Sequence, residues 1–305
     1  MAGIDTQRAV AWAAEALGLS VEALTLKPLP GASSSSVYAL TARAGSDAHE
    51  YVLRLFTNRA WLAQEPDLAR HEAAALQEIA RIGLPGPELV AWDATGAACG
   101  VPAVLMTRVP GRVVLRPTDL DAWLEQLAAA ILPAHRYGAV GFPWERQPYN
   151  DLDALEPPSW SPLPRLWQRA IDYLRHTPPP TAHMAFIHRD YHPTNVLWQG
   201  DVVSGIVDWV NACRGPVGID IGRCRSNLAV LHGVQAADRF LQAYQRLTGS
   251  RWRYEPYWDL ADLADMLPDP DGVRAGWRPH GVTDISAPLA RLRVDAYLAS
   301  VVAKL

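Results

Sequence analysis

The first third of the chain alternates helical and strand-like hydrophobic patterns. Residues 6–17 repeat apolar side chains at helical spacing, which predicts an amphipathic helix. A second helix is predicted over 66–82, where Pro66 suits the first turn and Gly83 the C-terminal cap. Short apolar runs bounded by turn residues predict five strands: 23–29, 37–42, 51–56, 88–92 and 103–107. The first three are expected to form a β-meander.

After Pro110-Gly111 the pattern becomes mainly helical. A long periodic stretch predicts a helix over 120–137. Shorter periodic stretches predict five more helices: 166–176, 219–231, 235–247, 257–267 and 288–302. The sequence therefore predicts an α+β protein, with a β-rich lobe at residues 1–108 and a helical lobe at residues 109–305.

Composition narrows the class of partner. The 305 residues are 49% hydrophobic, which is enough for a sizeable core, and the formal net charge is −4 with acids and bases interspersed. No basic block indicates a nucleic-acid partner, and no apolar stretch reaches the roughly 18 residues of a membrane helix. The first ten residues lack the apolar segment of a signal peptide, and three cysteines fit no zinc pattern. We therefore predict a cytoplasmic protein with free thiols.

The densest polar cluster lies in the segment 188–197. Asp190 and Asn195 stand five residues apart in a loop between a predicted strand at 184–187 and one at 196–198. A return strand at 202–207 ends at Asp208. Antiparallel pairing would bring Asn195 and Asp208 to the same end of this hairpin, one loop away from Asp190.

Three oxygen-bearing side chains that converge in this way suit Mg²⁺ and phosphoryl transfer. Hard oxygen ligands are those that Mg²⁺ prefers, and phosphoryl transfer depends mainly on positioning and on metal charge. Asp190 fits the general base that receives the proton of an attacking hydroxyl group. Asn195 and Asp208 fit the metal ligands.

The segment 188–197 resembles the catalytic loop of the aminoglycoside phosphotransferase and choline kinase family, which has a protein-kinase-like fold. Ile206-Val207-Asp208-Trp209 resembles the second metal motif of that family, and Gly215-Pro216 followed by Asp220 resembles the segment that braces its catalytic loop. The resemblance covers most of the chain. It implies two lobes, a small antiparallel N-terminal sheet with one key helix and a larger, mainly helical C-terminal lobe.

The same resemblance implies a nucleotide site in the N-terminal lobe, with ATP and Mg²⁺ as cofactors. The run 29–38 resembles the small-residue nucleotide loop, and it contains Ser33, Ser34 and Ser35. The run 102–111 resembles the hinge whose backbone usually meets adenine, and it contains Met106 and Arg108. The partner implied is a small substrate that carries a hydroxyl group.

Arg54 stands where the family places the cation that contacts phosphate. Glu72 falls on the apolar face of the predicted helix 66–82, where an unpaired charge would be costly. The resemblance therefore implies an ion pair between Arg54 and Glu72.

Two residues depart from the family pattern. Arg54 replaces the usual Lys, in a chain whose only lysines are Lys27 and Lys304, and Arg189 replaces the usual Gly. The scarcity of lysine explains the first replacement as drift, and we interpret the second as incidental. An acidic stretch in the C-terminal lobe has two interpretations, a site for cationic substrates or a solvated helix face, and we favour the face: Asp259, Asp262, Asp265, Asp269 and Asp271.

Three functions fit these observations. The first is a kinase that phosphorylates a small molecule, either an antibiotic such as an aminoglycoside or a metabolic alcohol or amino alcohol. The second is an inactive kinase-like protein that binds nucleotide or a partner, for which Arg54 is the support. The third is a metal-dependent hydrolase built on His188, Asp190 and His192, with His183 as the nearest further ligand. The sequence favours the first.

Overall fold

The computed structural model describes residues 6–29, 35–149, 151–249, 252–265 and 271–305, and the side chains of 271–273 are left aside. By its internal contacts the chain divides into two units. The first comprises Met1–Pro110 and Gly205–Ala212, and the second comprises Gly111–Ser204 and Cys213–Leu305. The sequence analysis predicted a nucleotide-binding lobe at 1–108 and a catalytic and substrate-binding lobe at 109–305. This division by function stays a prediction. The sequence did not predict that 205–212 would group with the first unit.

The first unit is built on a five-stranded sheet in the order β1-β2-β3-β5-β4. Every pair of neighbouring strands in it is antiparallel. The strands run over Leu24–Pro28 (β1), Ser36–Ala44 (β2), Asp47–Leu55 (β3), Leu89–Asp93 (β4) and Ala103–Thr107 (β5). The helices run over Thr6–Leu17 (α1), Arg59–Gln64 (α2) and Leu68–Arg81 (α3).

Helix α1 and strand β5 have the predicted bounds, whereas the predicted helix 66–82 is wrong at its start. Asp67 occupies the N-cap position and α3 begins at Leu68, so Pro66 lies outside the helix. The short helix α2 precedes it and was not predicted. Asn58 begins α2 by accepting hydrogen bonds from two backbone N–H groups of its first turn.

One face of the sheet supplies the core of the first unit. Because side chains alternate along a strand, residues two apart share a face. Two residues from each of β2, β3 and β5 follow this spacing, and they pack with two alanines of α1 and with Cys99 in one cluster: Ala9, Ala13, Leu40, Ala42, Leu53, Leu55, Cys99, Ala103 and Leu105.

The segment 205–212 is held to the first unit by backbone groups. The N–H of Ile206 donates to the carbonyl of Pro85 at 2.9 Å. A ring nitrogen of His71 on α3 contacts the carbonyl oxygen of Ala212. Trp209 is fully buried between these points and donates from its indole nitrogen to the carbonyl of Ile206 at 2.8 Å. These contacts fix Asp208, which lies in the middle of the segment.

The second unit is mainly helical. Its helices are Leu120–Ala130 (α4), Leu132–Arg136 (α5), Pro164–His176 (α6), Gly218–His232 (α7), Val234–Thr248 (α8), Pro256–Asp265 (α9), Asp271–Trp277 (α10) and Ala287–Val302 (α11). Its strands are Arg112–Val113 (β6), Met184–Ile187 (β7), Val196–Gln199 (β8), Val202–Ile206 (β9), whose last two residues belong to the first unit, and Cys213–Pro216 (β10).

The predicted single helix 120–137 is wrong, because the chain breaks at Ile131 into α4 and α5. Pro133 lies in the first turn of α5, and a proline without an N–H group cannot continue the hydrogen-bond ladder of α4. Strands β6 and β10 and helix α10 were also not predicted. The sheet order β6-β8-β9 contains the predicted hairpin, and β7 has the predicted bounds.

Helix α7 forms the centre of the second unit. Nearly all of its residues are buried, including the charged residues Asp220 and Arg225. It packs against α8, α9 and α11. Of the helices that the structure describes, none has the length and apolar character needed to cross a membrane. The three cysteines are buried and unpaired.

Candidate active site

The loop after β7 is anchored by Asp220, at the start of α7. One carboxylate oxygen of Asp220 accepts from the N–H of His188 at 2.8 Å, and the other accepts from the N–H of Arg189 at 2.6 Å. Asp220 has no exposed surface. Two charge-assisted bonds from consecutive backbone groups therefore fix the backbone just before Asp190.

A buried chain of hydrogen bonds extends this anchor. His135 places its Nε2 atom 3.0 Å from Asp220 Oδ2 and its Nδ1 atom 2.8 Å from the hydroxyl of Tyr244. His135 is 5% exposed. The sequence analysis did not identify His135 or Tyr244, because they lie 85 and 24 positions from Asp220 along the chain and carry no motif.

Asp190 and Asn195 lie together in the second unit, as predicted. The side-chain amide of Asn195 donates to the backbone carbonyl of Asp190 at 2.9 Å, across the tight turn 193–195. The carboxylate of Asp190 remains 31% exposed, with His192 Nε2 at 3.4 Å. Burial alone would raise the pKa of Asp190, but His192 and then Arg223 hold that pKa well below its usual range. Asp190 is therefore a charged and accessible carboxylate on a fixed loop.

Arg223 of α7 is a neighbour of Asp190 that the sequence analysis missed. Its Nε atom lies 3.5 Å from Asp190 Oδ1 and 3.0 Å from Asp262 Oδ1. The other oxygen of Asp262 accepts from the hydroxyl of Ser226 at 2.5 Å. Burial raises the pKa of Asp262 to about 6, although Arg223 and Ser226 oppose the shift.

The prediction of a solvated acidic face on the helix at 257–267 is wrong. Asp259 and Asp262 are 1% and 4% exposed, and they pair with Arg225 and Arg223. Asp265 pairs with Arg146 at 3.7 Å. The arginine partners neutralise carboxylates that would otherwise be costly to bury. Of the two remaining acids, Asp269 and the side chain of Asp271 lie outside the described residues.

The first unit contains the other predicted charged residues. Arg54 Nη1 lies 3.3 Å from Glu72 Oε1, so the implied ion pair is present. Arg54 Nη2 lies 2.7 Å from Asp208 Oδ1. Burial raises the pKa of Glu72 to about 7, with Asp208 adding to the shift and Arg54 opposing it. Arg54 stays charged, because the two carboxylates outweigh its burial and raise its pKa.

Asp208 has an unusual backbone. Its φ is +69° in the left-handed region, which aspartate tolerates better than most residues. Its side chain is 39% exposed. Because Asp208 belongs to the first unit and Asn195 to the second, their convergence stays a prediction.

The remaining predicted nucleotide residues lie along the sheet or outside the described chain. Met106 is a buried residue of β5, paired with Val52 of β3. Arg108 follows β5, and its side chain forms an exposed ion pair with Glu50 at 2.9 Å. Ser35 precedes β2 and is half-buried. Ser33 and Ser34 lie outside the described residues.

Each of the two predicted metal ligands, taken by itself, suits Mg²⁺ better than a transition metal. Asn195 and Asp208 offer amide and carboxylate oxygens, which are hard ligands. In the described part of the chain, no three His, Cys, Asp or Glu side chains form a group that could hold a metal ion, and this includes His188, Asp190 and His192. The geometry therefore gives no support to the metal-dependent hydrolase.

Known proteins resemble the chain along most of its length. The homoserine kinase of Brucella ovis is 26% identical over 208 residues, which are 62% of this chain and 59% of that relative. A candidate aminoglycoside phosphotransferase from Ralstonia eutropha has a TM-score of 0.64 at 17% identity, with 98% of each chain covered. A choline kinase from Streptococcus pneumoniae has a TM-score of 0.63 at 11% identity, with 98% of this chain and 99% of that chain covered.

The two structural matches show a shared protein-kinase-like fold, as predicted. The curated relative adds similarity of sequence, although the chain spans only 59% of its length. The model of the phosphotransferase enzyme family known as APH matches residues 25–257, which include Arg54, Glu72 and Asp208 of the first unit and Asp190 and Arg223 of the second. The chain therefore belongs to the APH phosphotransferase enzyme family.

Proposed function

We propose that this protein transfers the terminal phosphoryl group of ATP to a hydroxyl group of a small molecule, with Mg²⁺ as the metal. The observation that carries the proposal is the carboxylate of Asp190, charged and 31% exposed on a loop that Asp220 fixes. Membership of the phosphotransferase family supports the reaction class.

Asp190 would act on the acceptor. Its carboxylate orients the attacking hydroxyl group by accepting its hydrogen bond, and it receives the proton as the phosphorus–oxygen bond forms. A fixed loop favours this role, because the rate of a transfer depends on how well the reacting groups are held. The amide of Asn195 contributes by holding the backbone carbonyl of Asp190.

Asn195 and Asp208 would hold the metal through their side-chain oxygens. Bound Mg²⁺ neutralises phosphate charge and so favours transfer. The amide of Asn195 donates through its nitrogen, so its oxygen is the atom suited to the metal. Asp208 now pairs with Arg54, and metal binding would have to weaken this pair.

The remaining nucleotide contacts come from the first unit. We propose that Arg54 contacts phosphate and that Glu72 holds Arg54 in place. At Met106 and Arg108 the backbone would contact adenine. The side chain of Arg108 is not needed for this contact, because it pairs with Glu50. The serine run Ser33, Ser34 and Ser35 would cover the phosphates.

The acceptor belongs to one of two chemical groups, amino alcohols or hydroxyl-bearing antibiotics. The curated relatives include homoserine kinases, and the structural neighbours include a choline kinase and a macrolide 2'-phosphotransferase. Homoserine, choline, an aminoglycoside and a macrolide therefore make the first test panel.

A second candidate is a kinase-like protein that binds nucleotide without transferring phosphate. The observation that favours it is the 2.7 Å contact between Arg54 and Asp208, which engages a carboxylate that the metal requires. In that case ATP would bind weakly and no acceptor would receive phosphate.

The test is phosphate transfer from ATP to each member of the panel, by wild type and by Asp190→Asn. Transfer by wild type, with a loss of about 10²- to 10⁴-fold in the variant, supports the kinase and the role of Asp190. Asp151→Asn, at an exposed turn of the same unit, is the control and should keep full turnover. Wild-type turnover in Asp190→Asn would show that Asp190 is not the base. Binding of ATP without transfer to any acceptor would favour the second candidate.

A further inference from the structure

Helix α7 contacts the Asp190 loop twice on one face. Asp220 binds the loop backbone through the N–H groups of His188 and Arg189. Arg223, three residues later, reaches the side chain of Asp190 itself. Residues three apart on a helix lie on the same face, so both contacts come from one rigid surface.

The side chain of Arg223 joins the loop carboxylate of Asp190 to the buried carboxylate of Asp262 on α9. Within the described residues it forms ion pairs with Asp190 and Asp262 alone, and its Nε atom lies between them without a hydrogen bond. It is 14% exposed.

Arg225, two residues further along α7, shows what a structural arginine looks like in the same helix. It is fully buried and donates to the hydroxyl of Tyr254 at 3.0 Å and to Asp238 at 2.9 Å. It also pairs with Asp259 on α9. Its partners connect α7 to α8 and α9, whereas the partners of Arg223 are one carboxylate on α9 and the loop carboxylate of Asp190.

Asp262 is brought to Arg223 by the close packing of α7 on α9. A Cβ atom at Gly218 would meet the ring of Trp258 at 2.2 Å, and one at Gly222 would meet the backbone oxygen of Trp258 at 2.7 Å. Glycine at both positions lets the two helices approach. Asp262, one turn after Trp258, is then anchored by Ser226.

We propose that Arg223 is a positioning residue that holds the carboxylate of Asp190 in its working orientation, with Asp262 as its anchor. This inference rests on the proposed function, in which Asp190 acts on the acceptor. Asp262 balances the charge of Arg223, and the same Nε atom of Arg223 lies near Asp190 and stabilises it as a carboxylate in one position. His192 supports Asp190 from the other oxygen.

The first test compares Arg223→Met and Arg223→Lys with wild type, using the acceptor that the panel identifies. Misplacement of a reacting group by about 1 Å can cost 10²-fold in rate, so kcat of Arg223→Met should fall by about 10- to 100-fold. The KM for ATP should stay unchanged, because Arg223 contacts no nucleotide residue of the proposal. Arg223→Lys should recover part of kcat, since one ammonium group can reach Asp190 but lacks the arginine fork.

The second test reads the position of Asp190 directly and needs no acceptor. Crystal structures of wild type and Arg223→Met should differ in the side-chain orientation of Asp190. The same orientation in both, or an unchanged kcat, overturns the proposal. Arg239→Met is the matched control, because it removes an exposed arginine–aspartate pair with Asp121 on the same unit and should change neither readout.

A variant of the anchor keeps the proposal testable if Arg223→Met does not fold. Asp262→Asn removes the charge that holds Arg223, so we expect a smaller fall in kcat and a shifted Arg223. An unchanged kcat with an unshifted Arg223 overturns the role of the anchor. Failure of the proposed function has a different signature: wild type would transfer phosphate to no acceptor, or Asp190→Asn would keep full turnover, whatever the orientation of Asp190 in Arg223→Met.

Discussion

Arg54 Nη2 lies 2.7 Å from Asp208 Oδ1, and Nη1 of the same guanidinium lies 3.3 Å from Glu72 Oε1. One fork of nitrogen atoms thus serves two carboxylates at once. The compact ammonium group of a lysine has no such fork and could not match this geometry. The replacement of the family lysine by Arg54 therefore has a structural consequence, because it ties Asp208 to the buried carboxylate of α3.

Removal of Arg54 should destabilise the protein strongly. Glu72 is 1% exposed, and neither of its oxygens has a hydrogen-bond partner among the described residues. Arg54→Met would leave this carboxyl group buried without its countercharge, and its pKa, already about 7, would rise further so that the group takes up a proton. We expect a loss of about 1–3 kcal/mol in the free energy of unfolding, the cost of a buried polar group without a partner. Urea denaturation measures it. The double variant with Glu72→Met should lose less than Arg54→Met alone.

The neighbouring pair of Arg108 and Glu50 provides the control. Its side chains are 44% and 42% exposed at a distance of 2.9 Å, so Arg108→Met should cost less than about 1 kcal/mol. A cost for Arg54→Met as small as that for Arg108→Met would mean that the buried pair contributes no more than an exposed one.

Arg189 is held in a left-handed backbone conformation, with φ at +68°. Its side chain compensates, because its guanidinium lies 3.8 Å from the ring centre of Tyr149 and donates to the carbonyl of Gln147 at 2.8 Å. Arg189→Gly and Arg189→Ala both lose these contacts, but only glycine relieves the backbone. Arg189→Gly should therefore be more stable than Arg189→Ala by about 1 kcal/mol.

Thermal and urea unfolding of the two variants provide the comparison. Equal stability would show that the loop relaxes away from the left-handed conformation once the side chain is removed. The result bears on the interpretation of Arg189 as incidental, because the contacts with Tyr149 and Gln147 join the catalytic loop to residues 147–149.

Local chemistry predicted much of the fold and the motif residues. Helix α1 has the predicted bounds because its apolar spacing is regular, and strands β5 and β7 have theirs because each is a short, unbroken run of apolar residues. The position of Glu72 on an apolar helix face indicated that it needs a partner, and the family resemblance implied that this partner is Arg54. Asp190 and Asn195 were found from their spacing in one loop.

Contacts between distant segments could not be predicted from spacing. Arg223 lies in α7, where nearly every residue is buried, so no polar face marks it. Asp262 looked like a solvated residue because its partner is 39 positions away. The break at Ile131 is different, because the sequence contains a signal for it. Pro133 indicates a helix break, but the prediction followed the periodic pattern of 120–137 instead.

His232 should make stability fall at acid pH. Burial lowers its pKa to about 4, and Arg116 adds to the shift. An unfolded histidine titrates near 6.5, so this contribution to stability is complete above pH 6.5 and declines as pH falls towards 4. Relative to His232→Gln, wild type should lose about 1–2 kcal/mol between pH 7 and pH 5, measured by urea denaturation. A constant difference across this range would contradict the prediction, and His49→Gln at an exposed position is the control.

Asp208 provides the sharpest test of the metal site. If its carboxylate binds Mg²⁺ together with ATP, calorimetric titration of wild type should show ATP affinity that rises at least about tenfold with Mg²⁺, which is ~1.4 kcal/mol. Asp208→Ala should lose this rise. Its affinity for metal-free ATP should not fall, because Arg54 no longer pairs with Asp208 and can contact phosphate. Asp201→Ala removes an exposed aspartate from the turn between β8 and β9 and should keep the full Mg²⁺ response. A Mg²⁺ response that survives in Asp208→Ala would assign the metal to other oxygens, and the 2.7 Å pair of Arg54 and Asp208 would then be a structural bond of the first unit.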